Sequence, residues 1–248
     1  MSTIYILWLR QIKRYFRSKA RLIGSLGQPV LFLVALGFGF GPVFEKAGGG
    51  SYLQFLAPGI IAMSILFTAI FAGMEIIWDK QFGFLKETLA APVSRLSIMI
   101  GRTLGGSTVA LIQGILVLII ASAIGFRPVG LAAVPLALVF MFLIALLFTA
   151  FGTAIASVLE DMQGFQLIMN FLVMPIFFLS GAMFPLSGLP KALTIVAALD
   201  PLSYGVDGIR ASLVGLSHFG YFLDFSILGG VVILLMLLGS YLFSKIQI

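Results

Sequence analysis

Six stretches of this chain are apolar almost without interruption: residues 22–44, 57–78, 98–126, 131–159, 165–184 and 225–243. A hydrocarbon core about 30 Å thick takes about 20 apolar residues in helical form, and each stretch meets that need. Apolar positions run on within each stretch rather than alternating with period two, which predicts helices and not the strands of a barrel. Pro29, Pro135 and Pro175 fall inside them, a placement tolerated in membrane helices because neighbours satisfy the freed backbone groups. The expected fold is all-α: a polytopic membrane protein with a single domain of six transmembrane helices over residues 22–248.

Residues 1–21 follow a different pattern. Ile4, Leu7, Trp8, Ile12, Tyr15 and Phe16 recur at helical spacing on one face, and Arg10, Lys13, Arg14, Arg17 and Arg21 on the other. A basic face opposite Trp and Phe describes an amphipathic helix in the headgroup layer. Two readings fit: a plain positive-inside anchor, or a surface helix that also transmits force from a cytoplasmic partner.

Composition agrees with the hydropathy pattern. Hydrophobic residues make up 60% of the chain and charged residues 10%, with a mean hydropathy of +1.16, far from the quarter or so of charged residues usual in soluble domains. If the N-terminus is cytoplasmic, 11 of the 15 Lys and Arg residues fall on the cytoplasmic side, leaving Lys46, Arg127, Lys191 and Arg210 outside. Both termini are therefore expected in the cytoplasm of a multi-pass protein of the plasma (inner) membrane. The net charge of +6 reflects that topology and gives no reason to expect nucleic acid as a partner. With no cysteine, disulfides and thiolate chemistry are excluded, and one histidine, His218, builds neither a metal site nor a hydrolytic triad. No phosphate-binding Gly-x-x-x-x-Gly-Lys-Ser/Thr occurs, so no catalytic residue and no cofactor is expected in this chain.

One water-side segment stands out. Residues 79–95 carry Asp79, Lys80, Lys86, Glu87 and Arg95, and are too long for a tight turn. Gly83 allows a bend, Leu85 and Leu89 with Phe82 form an apolar face, and Pro92 ends any helix there. A helix this short is weak alone, so it either docks on something or is a solvated linker.

The run Phe82-Gly83-Phe84-Leu85-Lys86-Glu87-Thr88-Leu89-Ala90-Ala91-Pro92-Val93-Ser94-Arg95, followed by Gly101-Arg102, resembles the signature loop of type-2 ABC exporter permeases. These are the membrane subunits of the daunorubicin-resistance, nodulation-factor and polysaccharide-export group. A second match is Phe178-Leu179-Ser180-Gly181-Ala182-Met183-Phe184-Pro185-Leu186 with Leu189-Pro190, then Asp200-Pro201-Leu202-Ser203-Tyr204-Gly205-Val206-Asp207-Gly208-Ile209-Arg210. The family more often has Asn at Asp200, and Arg-Gly-Thr is common where this chain reads Phe82-Gly83-Phe84.

The resemblance implies a permease that forms the substrate path of an ATP-driven exporter. Its partners would be two ATPase subunits, which hold ATP and Mg, and a second copy of itself or a related permease. Asp79, Lys80, Phe82, Gly83, Leu85, Lys86, Glu87, Leu89, Pro92 and Arg95 would belong to a coupling helix between spans two and three. Trp8, Arg10, Lys13, Arg14 and Arg17 would belong to an interface helix. Residues 185–204, punctuated by Pro185, Pro190 and Pro201 and including Tyr204, would dip back into the outer leaflet as an external gate. Phe38, Phe40, Met174, Phe177 and Phe178 are candidates to line the path, with core packing or lipid contact as the alternative. The expected substrate is a drug, a lipid or a lipid-linked glycan.

Within the spans Glu75 is the ionisable exception, about one turn from the end of its helix. It is expected to pair with Arg102 or with a basic residue of the surface helix, as a structural tie or a gate. The scarcity of charge at mid-membrane argues against the rival reading, an ion-coupled secondary carrier or channel acting without an ATPase.

Overall fold

A computed structural model describes residues 2–48, 50–84 and 93–245, apart from the side chains of Arg21 and Ser244. The expected coupling positions Leu85, Lys86, Glu87, Leu89 and Pro92 lie outside the described residues.

The described residues fold into helices without a strand. In chain order they are α1 (Thr3–Arg17), α2 (Lys19–Gly39), the short α3 (Gly41–Lys46), α4 (Tyr52–Gln81) and α5 (Arg95–Ile124). A 3₁₀ turn then leads into α6 (Val134–Val158). After it come α7 (Met162–Ile168), a π turn over Met169–Val173, α8 (Met174–Leu179), α9 (Lys191–Leu199), α10 (Pro201–Val214) and α11 (Tyr221–Ser244). Six segments are long and apolar enough to cross a membrane, as expected: Leu22–Gly39, Tyr52–Gln81, Arg95–Ile124, Leu131–Val158, Met162–Leu179 and Tyr221–Phe243.

Local chemistry sets the boundaries. The Ser94 hydroxyl accepts from the Ser97 N–H (3.1 Å) to start α5, and Asp161 accepts from Gly164 (2.6 Å) to start α7. Gly83, with φ +79°, turns the chain away after α4. Span two thus starts five residues before the expected 57 and ends three after 78. At 1.5 Å per residue, the 30 residues of α4 and of α5 each reach about 45 Å, more than a core of about 30 Å, so each carries polar residues at one end.

Helix α4 is the central post, packed by α6 and α5 and, less extensively, by α2 and α10. It approaches α6 backbone to backbone: a Cβ on Gly73 would strike Gly152, and one on Gly152 would stand 2.7 Å from the Ile70 carbonyl oxygen. Span five runs over Met162–Leu179 rather than 165–184, continuous but widened into the π turn just before Pro175, whose ring nitrogen has no proton to donate. Two short helices follow it: α9, where residues 190–199 read as a short helix from the sequence, and α10, which meets α9 at Asp200 with a bend of 87°. The last span also starts earlier than 225, at Tyr221, which brings a fully buried Asp224 into its first turn.

Candidate functional site

The end of α4 is a junction of charges. Glu75 and Asp79 lie one turn apart on it, 7% and 5% exposed, and each meets cations from another element. Arg14 of α1 reaches Glu75 at 3.2 Å. Asp79 accepts a hydrogen bond from the Arg102 guanidinium of α5, and Arg10 of α1 stands 4.0 Å from its other oxygen. Arg102 is itself 5% exposed, so this is a buried pair, in which each ion depends on the other. Of the two expected partners for Glu75, the surface helix supplies the cation; Arg102 goes to Asp79 instead. Asp79 is correspondingly not part of the exposed loop: it is a buried residue of the last turn of α4.

Lys80, the next residue, turns to the opposite neighbour. Its ammonium donates to the carbonyl oxygens of Ala156 (3.0 Å), Ser157 (2.8 Å) and Leu159 (3.1 Å) at the end of α6. A helix C-terminus leaves carbonyls without intrahelical partners and carries partial negative charge, so a cation there satisfies several acceptors at once. Phe82 and Phe84, just beyond, are 71% and 51% exposed, while Arg95 opens α5 on the return. The loop therefore springs from a stem in which two consecutive residues tie α4 to α5, α1 and α6.

Helix α1 lies against the first turns of α5. Gly101 admits Ile4 and Leu7, which would stand 3.0 Å from a Cβ at that position, and Gly105 admits Trp8 and Gln11. The Trp8 indole donates to the Thr108 hydroxyl (3.0 Å) and the Tyr15 hydroxyl to the Gln113 side-chain oxygen (2.7 Å). Leu7 and Tyr15 are buried; Arg10, Lys13 and Arg17 are exposed. Burial in α1 raises the Tyr15 phenol above its usual range. Thr108 and Gln113 are thus polar anchors of α1 on α5; Gln113 reads from the sequence as a polar residue inside a span that bonds between helices.

The other end of the bundle is held by α10. The Tyr204 hydroxyl donates to the Ala198 carbonyl (2.7 Å), closing the bend between α9 and α10, and Asp200 caps α10 by accepting from Leu202 (2.9 Å). Pro190 immediately precedes α9 and Pro201 opens α10, whereas Pro185 is exposed in the connector. Arg210 donates to the Gly181 carbonyl (2.9 Å) and the Phe55 carbonyl (3.4 Å), with its guanidinium carbon 4.1 Å from the Phe55 ring centroid. Asp207 accepts from the backbone N–H groups of His218 (2.8 Å) and Phe219 (2.8 Å) and from the Ser217 hydroxyl (3.1 Å). Glu75 is thus not the lone buried ionisable residue: among the described residues Asp79, Arg102, Asp200, Asp207, Arg210 and Asp224 join it.

The aromatic candidates separate. Phe38, Phe40 and Phe178 are exposed, Met174 is half-buried, and Phe177 is core, 1% exposed with its ring 6.3 Å from Phe67. Among the described residues no group of three His, Cys, Asp or Glu could hold a metal ion.

Comparison with known proteins places these features in a family. The chain is 28% identical to the transport permease ycf38 of Cyanophora paradoxa, covering 99% of this chain and 89% of that protein. It is 31% identical to the ycf38 permease of Porphyra purpurea (85% and 73% covered) and 30% identical to Nodulation protein J of Rhizobium leguminosarum bv. trifolii (85% and 78% covered). The profile of the ABC-2 type transporter family matches residues 2–214, and the chain belongs to that family, as a multi-pass membrane subunit of an ABC transporter.

Proposed function

We propose that this chain is the path-forming half of an ATP-driven exporter, moved by a separate ATPase subunit that docks on residues 79–95. The stem carries the reading. Asp79 and Lys80 stand directly before the exposed Phe82 and bond to helices on both sides of α4. A push on the loop would move α4, the start of α5 and the end of α6 together, and Arg10 and Arg14 would bring α1 along. Such a rigid root suits a lever and serves no need of a solvated linker. The same end gathers most of the basic residues, so both termini and the ATPase share the cytoplasmic side.

ATP and Mg belong to the partner, which supplies hydrolysis. Two permease chains and two ATPase subunits make the working unit, with a second copy of this chain as the simplest partner. In this reading α9 and α10 form the outer gate, which the tie from Arg210 to the Phe55 carbonyl of α4 and the tie from Tyr204 across the α9–α10 bend support. Affinity purification of the tagged chain from its native membrane, with cross-linking through Lys86, tests the reading. A stoichiometric ATPase subunit is the expected companion; its absence after cross-linking would refute the split exporter.

A further inference from the structure

A cavity of about 340 Å³ opens inside the protomer between α1, α2, α4 and α5, within the range of about 300–1,000 Å³ that small-molecule sites occupy. It follows one stripe of α4 from Ser64 to Trp78, about 21 Å of helix. Phe67 and Phe71 wall the middle of that stripe with Thr68 between them, Ser64 and Glu75 stand toward its ends, and the amides of Gln11 on α1 and Gln28 on α2 join the lining. Among the described residues neither Gln11 nor Gln28 makes a hydrogen bond, and Gln28 is exposed on an otherwise apolar span. On a span, a free amide such as that of Gln28 is costly unless something polar meets it. Glu75, the cavity's one ionisable acid, is already met by Arg14.

We propose that this cavity binds an uncharged small molecule with an apolar body and hydrogen-bonding groups at its two ends, seated between the amides of Gln11 and Gln28. Neutrality follows from the prior claim on Glu75 and the lack of a free charge on the wall; the two-ended character follows from the placement of the amides. Such a ligand packs against Glu75, one turn before Asp79, and Trp78, directly before it, so its occupancy bears on the stem that roots the loop. That link to export rests on the proposed function above; the binding itself does not.

The chain has two tryptophans, and Trp78 lines the cavity. In Trp8→Phe protein in lipid nanodiscs, without an ATPase, Trp78 fluorescence is titrated with a dibrominated C12 diol, hydroxylated at both ends. Saturable quenching is expected. The dibrominated alkane of equal length should quench only in linear proportion to its concentration in the lipid, and the dibrominated dicarboxylate should bind far more weakly. Gln28→Leu, at an exposed position that leaves packing intact, should raise the half-saturating concentration about fivefold, the effect of one lost hydrogen bond; Thr68→Phe should abolish saturation. Linear quenching by the diol, or identical curves for Gln28→Leu and the parent, would overturn the proposal. So would saturation that appears only when copies are separated, because a second copy would then fill the mouth. Capture of an ATPase is measured independently, so either idea can fail alone.

Discussion

The Lys80 ammonium stands 2.8 Å from the carbonyl oxygen of Ser157, two carbonyls of the same helix end completing its shell. The last turn of α4 thereby serves as the C-terminal cap of α6, a helix that α4 also meets about two turns further in, through Gly73 and Gly152. The two helices are fastened at two heights, and neither fastening depends on the loop itself.

Replacing Lys80 with Met keeps the length of the side chain and removes the three donated hydrogen bonds. Hydrogen bonds to a charged group contribute about 1.5–3 kcal/mol each when buried; Lys80 is half-buried, so the lower figure for the whole set is the better guide. Thermal unfolding of the purified chain should shift downward by a few degrees while the helical signal persists. In the assembled transporter, ATPase activity should lose its response to substrate more than its basal rate. Equal loss of both would indicate a fold defect alone.

Asp79 and Arg102 make a sharper prediction. Arg102→Met strands a carboxylate at 5% exposure and should cost about 3–5 kcal/mol, as loss of one partner of a buried pair does. Arg10, at 4.0 Å and half-exposed, can offset part of that. The double variant Asp79→Leu, Arg102→Met removes both charges and should recover most of the stability. Unfolding measured for the two single variants and the double one checks the sign of the coupling. A double variant no better than the sum of the singles would mean that the pair contributes nothing of its own.

The spans were legible in the sequence because twenty apolar residues have few other uses, and α1 because its two faces differ so sharply. What escaped is whatever depends on contact between distant elements. Asp79 reads as a loop residue, since it adjoins Lys80 and a run of charge, yet α5 brings Arg102 against it and draws it into the core. Asp224 reads as flanking the last span, but α10 buries it completely. Phe177 reads like Phe178 in sequence; neighbours on a helix point about 100° apart, and here one faces the core and the other faces outward. The departure at Asp200 follows from its place as the N-cap of α10, where Asp and Asn serve about equally well.

The capping role yields a graded prediction. Asp200→Asn should leave stability within a few tenths of a kcal/mol, while Asp200→Ala should lose about 1 kcal/mol with the cap. The difference should appear as higher protease sensitivity between α9 and α10. If Asn and Ala behave alike, the cap is not what position 200 contributes.

The close approach of the 180–182 turn to the central post sets the last test. A Cβ on Gly59 of α4 would fall on the Ala182 carbonyl, a backbone atom that cannot swing aside. The neighbouring Gly181 carbonyl is the one that Arg210 grips at 2.9 Å. Gly59→Ala should therefore push the 180–182 turn outward and stretch that hydrogen bond, even though the added methyl is apolar and lies in an apolar helix. Arg210→Met removes the grip without adding bulk, leaving the Phe55 and Gly181 carbonyls without their donor. Both changes loosen the same joint from opposite sides, so their effects on stability should be less than additive when combined. Thiol labelling of a cysteine placed at Ser187, in a chain that has no cysteine of its own, reads the opening directly. Faster labelling than in the parent is expected for each single variant, with little further gain in the double; additive rates would show that Gly59 and Arg210 secure different joints.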